Sequence, residues 1–83
     1  MKRAKRIAHK FKVNGLMVRM VREHKGISQV ELARMTKLNP RVLWTIETGR
    51  VRDPGISTVG VLAEALGLRF EQLILKVPDV PTS

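Results

Sequence analysis

Between Ile27 and Gly49 the chain reads ISQVELARMTKLNPRVLWTIETG, two short helical patterns either side of a four-residue break, Thr36-Lys37-Leu38-Asn39. Ser28-Gln29-Val30-Glu31 forms a capping box: the Ser28 hydroxyl serves the backbone N–H of Glu31, and the Glu31 carboxylate reaches back to that of Ser28. Leu32, Ala33 and Met35 carry this helix to about Thr36. Asn39-Pro40 then opens another. Proline lacks an N–H that the first turn would leave unpaired anyway, and it pushes Asn39 into the extended conformation an N-cap needs. Neither piece can bury much alone. Two short helices joined by so tight a turn must cross steeply, the first bracing the second, which is the helix-turn-helix arrangement. Periodicity turns Leu43 and Ile46 inward and leaves Pro40, Arg41, Trp44, Thr45 and Thr48 on the outer side.

Helical signals extend on both sides of this unit. Leu16, Met20 and Val21, with Met17 and His24 beside them, recur at three-and-four spacing before Gly26, a C-terminal stop. After Gly49 a loop runs from Arg50 to Gly55, with Asp53-Pro54-Gly55 as its turn. Ser57 or Thr58 is expected to cap a fourth helix ending at Leu66, with Val59, Leu62, Ala63 and Leu66 inward and Gly67 as the stop. A short fifth helix is expected from about Arg69, carrying Phe70, Leu73 and Ile74. Met17, Met20 and Met35 sit at core spacing. Near the start Ile7, His9, Phe11 and Val13 alternate with Ala8, Lys10 and Lys12, the period of a strand, and Ile74-Leu75-Lys76-Val77 is a weak counterpart stopped by Pro78. Such strands would pair the two ends, within one chain or between two. The expected organisation is therefore a basic arm over residues 1–14, a helical domain over 15–75 and an extended tail over 76–83.

With 83 residues, one small domain is expected. There is no cysteine, hence no disulfide and no thiolate metal site, which fits a reducing compartment. No apolar run approaches the roughly 18 residues of a membrane span, so a soluble cytoplasmic protein is expected. Charge is distributed unevenly. Residues 1–52 hold fourteen Lys or Arg against Glu23, Glu31 and Glu47, while residues 53–83 hold Arg69 and Lys76 against four acids; the whole carries +9. A cationic face on a small domain most often meets nucleic acid.

The residues Gly26-Ile27-Ser28-Gln29, Glu31-Leu32-Ala33, Leu43, Ile46-Glu47 and Gly49, followed by Pro54, Leu62-Ala63-Glu64-Ala65-Leu66-Gly67-Leu68 and Leu73, resemble the Cro/cI-like (XRE-type) helix-turn-helix regulators. The likeness runs from about Leu16 to Ile74 without gaps. It implies an all-α, five-helix lambda-repressor-like bundle acting on operator DNA, usually as a homodimer, in the cytoplasm with the nucleoid. It also implies that Gln29 meets a phosphate, that Asn39, Pro40, Arg41 and Val42 lie nearest the bases with Trp44 and Thr45 one turn on, and that Arg50 and Arg52 meet the sugar-phosphate backbone. The chemistry agrees: arginine's fork suits guanine or phosphate, and free N–H groups at a helix start suit phosphate oxygens. The chain departs from the family pattern in three ways. Lys37 stands where the turn often has Gly and is expected in the left-handed conformation. Thr36 replaces a frequent Leu. Pro40, Val42 and Trp44 leave the reading face poor in Gln, Asn and Ser, with apolar contact to thymine methyls still available.

Other readings compete residue by residue. Trp44 fits the rim of the core, a DNA contact, or an anchor for a protein partner such as a toxin or another regulator; an antitoxin would combine the last two. Arg41 could be a solvated charge, Gln29 an ordinary helix residue, and the arm a solubilising tail rather than a DNA contact. Glu47 reads as structural, paired with a nearby Arg or bonded to backbone. His9 and His24 lack metal or catalytic spacing. No nucleophile–base–acid set or Gly-rich phosphate loop points to an enzyme, and nothing asks for a cofactor.

Overall fold

The computed structural model describes residues 9–50 and 54–78, with side chains for 11–50 and 54–75. In chain order it contains β1 (His9–Val13), α1 (Gly15–His24), α2 (Gln29–Thr36), α3 (Pro40–Glu47), α4 (Ile56–Leu66), a 3-10 turn (Phe70–Leu73) and β2 (Ile74–Pro78). Among the described residues, four α-helices and one 3-10 turn replace the five helices expected. The 3-10 turn closes with Gln72 N–H donating to Arg69 O at 2.9 Å. Leu73 is fully buried and β2 begins at the next residue, so the chain extends before an α-turn can complete.

The core is assembled from one apolar face of each helix. Val18 of α1, Leu32 of α2, Leu43 and Ile46 of α3, and Leu62 and Leu66 of α4 are all buried, and Leu73 closes the stack. On α1 the inner face differs from the expected one: Val18 is buried and Met17 and Val21 pack against the core, whereas Leu16 and Met20 are exposed. Met35 is exposed too. Apolar residues surround so much of α1 that periodicity alone cannot choose its face; the helices it meets decide.

Both expected starts in the central unit are present. Ser28 Oγ accepts from Glu31 N–H at 3.0 Å and Glu31 Oε1 from Ser28 N–H at 2.9 Å. Asn39 Oδ1 accepts from Arg41 N–H at 2.8 Å. α4 begins earlier than Ser57 or Thr58 suggests: Gly55 is its N-cap, at φ 102° and ψ 149°, with no side-chain cap. That conformation suits glycine and positions its carbonyl to accept from Val59 N–H. Lys37 takes the left-handed conformation, φ 60° and ψ 29°. Thr36 is buried, and its hydroxyl donates to Leu32 O at 2.8 Å.

The strands pair antiparallel within the chain, His9 opposite Pro78 and Val13 opposite Ile74, so Pro78, expected to stop β2, is its last paired residue. Two strands alone are marginally stable. Here their base is fastened: Val13 belongs to the core, Ile74 packs on it, and Asn14 N–H donates to Leu73 O at 2.7 Å.

Candidate nucleic-acid interface

The outer side of α3 is free. Pro40, Arg41, Val42 and Trp44 are exposed and Thr45 is partly so, while Leu43, Ile46 and Glu47 face inward. Of the sequence-expected site residues, Asn39, Pro40, Arg41, Val42, Trp44 and Thr45 thus share one open surface, and Gln29 and Arg50 stand at its margins. Arg52 lies outside the described residues.

The hydrogen bonds restrict what this surface can offer. Asn39 spends its carbonyl oxygen on capping α3, leaving its amide to donate. Thr45 Oγ1 donates to Val42 O at 2.6 Å and Thr48 Oγ1 to Trp44 O at 2.9 Å, so both hydroxyls turn their protons onto the helix's own backbone. Arg41 is left as the one cationic side chain on the outer face of α3. Beside it Val42 and the Thr45 methyl supply apolar area. The Arg50 guanidinium lies 5.1 Å from the centre of the Trp44 ring, a cation–π contact that restrains both side chains. Trp44 is 44% exposed, so it packs at a rim and remains available.

Beneath the surface is a polar node. Arg22 of α1 donates from Nε to Glu47 Oε2 at 2.7 Å and from its second amino group to Glu47 Oε1 at 3.0 Å. Its remaining amino group donates to Ile27 O at 2.8 Å. Gln29, the first residue of α2, donates from Nε2 to Glu47 Oε1 at 3.0 Å. The side chains of Arg22 and Glu47 are only 10% and 2% exposed. The Glu47 hydrogen bond raises the pKa of Arg22 above the ordinary guanidinium value, against the opposing effect of burial. One carboxylate therefore joins α1, the start of α2 and the end of α3. The expectation that Glu47 is structural and pairs with an arginine is met. Arg22 itself escaped sequence reasoning, because an arginine in a basic helix reads as solvated. Its spacing from Val18 and Val21 is the signal that could have found it. One Nε2 hydrogen of Gln29 is committed to Glu47 and the other is left for an outside acceptor, and its position at the opening of α2 is set by the same carboxylate that steadies α3.

A helix-turn-helix family model matches residues 18–73, more than half of the chain. The chain belongs to the XRE-type helix-turn-helix family. Its fold is similar to the restriction-modification controller protein C.AhdI from Aeromonas hydrophila, at 29% identity and TM-score 0.65, over 70% of this chain and 86% of that one. A hypothetical transcription factor, NHTF, from Neisseria is similar at 33% identity and TM-score 0.67, over 74% of this chain and 67% of its own. The biofilm regulator SinR, known from Bacillus subtilis and solved in complex with DNA, shares the fold at 24% identity and TM-score 0.66, over 69% of this chain and 90% of that chain. No curated protein matches this chain in sequence. Among the described residues no helix is long and apolar enough to cross a membrane, and no group of three His, Cys, Asp or Glu is placed to hold a metal ion.

Proposed function

We propose that this chain is a DNA-binding transcriptional regulator that lays α3 in the major groove of an operator. The observation carrying this is the open face of α3, cationic at Arg41 and braced from beneath by the Arg22–Glu47–Gln29 node. Family membership, the similarity to transcription factors and the +9 charge support it. Arg41 in the first turn of α3 would read guanine through its two-pronged fork, each such pair discriminating by about 1–3 kcal/mol. Val42 and the Thr45 methyl would lie against thymine methyls. Gln29, Arg50 and Arg52 would hold phosphates, with the Asn39 amide at the start of the helix, Pro40 fixing its entry and Trp44 supporting Arg50. Residues 1–14 would add cationic contacts along the duplex. A homodimer would bring two such helices to half-sites about 34 Å apart. The role places the protein in the cytoplasm with the nucleoid.

Titrating the Arg41→Ala variant against a selected operator and a random duplex tests the assignment. Base readout predicts that affinity for the operator falls at least about fivefold while the random duplex is much less affected. Equal weakening on both would move Arg41 to a phosphate, and no change would remove it from the interface.

A second reading, a protein-interaction or antitoxin module, has one observation in its favour: Val42 and Trp44 are two exposed apolar side chains on one helix, 40% and 44% accessible. Arg50 over the Trp44 ring puts a cation where such an anchor would be apolar, which favours the phosphate reading.

A further inference from the structure

Between α1, the start of α2 and α3 lies a polar notch of about 220 Å³. Arg22 and Glu47 form its floor and neutralise each other. Its character is therefore set at the rim, by Arg19, Glu23, Gln29, Trp44 and Thr48. Gln29 and Trp44 already belong to the face proposed to meet DNA, so a duplex seated on α3 brings its sugar-phosphate backbone over this notch. Arg19 and Glu23 belong to none of the roles assigned so far.

Their geometry is that of a loosely held cation. Arg19 Nε donates to Glu23 Oε2 at 3.1 Å, one helical turn away, and the two side chains are 57% and 53% exposed. So exposed a pair is screened by water and contributes little to folding. Only Nε is engaged; the two terminal amino groups of Arg19 donate to no described residue. Glu23 Oε2 also sits 3.9 Å from the Arg22 guanidinium, which keeps the carboxylate near the notch.

We propose that Arg19 is a phosphate contact of this notch and that Glu23 competes with the phosphate for it, setting the strength of the grip from outside the recognition helix. This rests on the DNA-binding reading. A phosphate entering the notch takes the terminal amino groups in the bidentate manner arginine favours. It meets repulsion from the Glu23 carboxylate until the guanidinium turns toward it. The acid thus lowers affinity for any duplex, and removing its charge raises affinity only while Arg19 is present.

The experiment is a salt titration of duplex binding by the wild type, Arg19→Ala, Glu23→Gln, the double variant, and Arg69→Ala. The last removes one positive charge beyond α4, away from the notch. Each neutralised phosphate contributes about 0.9 to the slope of log K against log salt. Arg19→Ala is expected to reduce the slope by about that amount, equally on operator and random duplexes, and Arg69→Ala to leave it unchanged. Glu23→Gln should tighten binding several-fold in the wild-type background and do nothing without Arg19. Equal slopes for Arg19→Ala and Arg69→Ala, or the same Glu23→Gln gain with and without Arg19, would overturn the proposal. A wild type with no salt-dependent duplex binding would instead overturn the DNA-binding reading beneath it. Both side chains are more than half exposed, and thermal melts confirming unchanged folding keep the comparison clean.

Discussion

Arg22 illustrates how much one side chain can decide. It gives three hydrogen bonds from within the core, two of them to Glu47. Removing one partner of a buried ion pair strands the other's charge, at a cost of about 3–5 kcal/mol. Arg22→Met is therefore expected to lower the unfolding free energy by that amount, a large part of what a domain this size possesses; chemical denaturation would read it. Replacing both residues, Arg22→Met with Glu47→Leu, should recover most of the loss, since no charge is then left buried. Lys37 presents the opposite opportunity. At φ 60° it bears the strain of a left-handed backbone that glycine avoids. Lys37→Gly is expected to stabilise by up to about 1 kcal/mol, after subtracting glycine's greater unfolded-state freedom, visible as a rise in melting temperature of a few degrees. The strain at Lys37 was readable from the resemblance, because the family's turn often has Gly at that place. The destination of Arg22 was not, because a charge declares its burial only once a partner from another helix is in place.

At the scale of the elements, α1 and α3 meet closely at Gly15. A Cβ on Gly15 would run into the Ile46 carbonyl oxygen, a backbone atom that cannot swing aside. Gly15→Ala must push the start of α1 off the end of α3. Overpacking of this kind costs about 1–3 kcal/mol, and for so small a domain the melting temperature should fall by roughly 10 °C. A rise in melting temperature would overturn this reading of the contact. Helix starts with local chemistry were legible in advance: Ser28 with Glu31, and Asn39 with Pro40, each satisfy their own first turn. The paired ends were legible too, from alternation around Phe11 and Val13. Less local choices were not. Leu16 and Met20 offered α1 an apolar face as credible as the one it uses, and only packing against α3 and α4 selected Val18. Gly55 overrode Ser57 and Thr58 because a backbone conformation, not a side chain, starts α4. At Phe70–Leu73 a helical pattern was right in period but had no room to complete a full α-turn before β2.

For the whole molecule the consequences are electrostatic and chemical together. Binding through several phosphates predicts steep weakening between about 50 and 200 mM salt, whereas docking of a protein partner on Val42 and Trp44 predicts little change. A duplex in which deoxyuridine replaces thymidine tests the apolar half of the reading. Losing one methyl contact with Val42 or Thr45 should cost about 0.8 kcal/mol, close to fourfold in Kd. No difference between the two duplexes would confine base reading to Arg41.

The shared carboxylate under α3 has a practical corollary. On the proposed reading, a screen for variants that lose regulation would return Arg22 and Glu47 beside Arg41, though the first two are almost wholly buried. Phenotype cannot sort scaffold from reader here; only melting each variant alongside its binding curve can. By the same token, the proposed reading expects a new operator preference from changes at Arg41, Val42 and Thr45, where a side chain can be exchanged without disturbing the knot that keeps three helices in register.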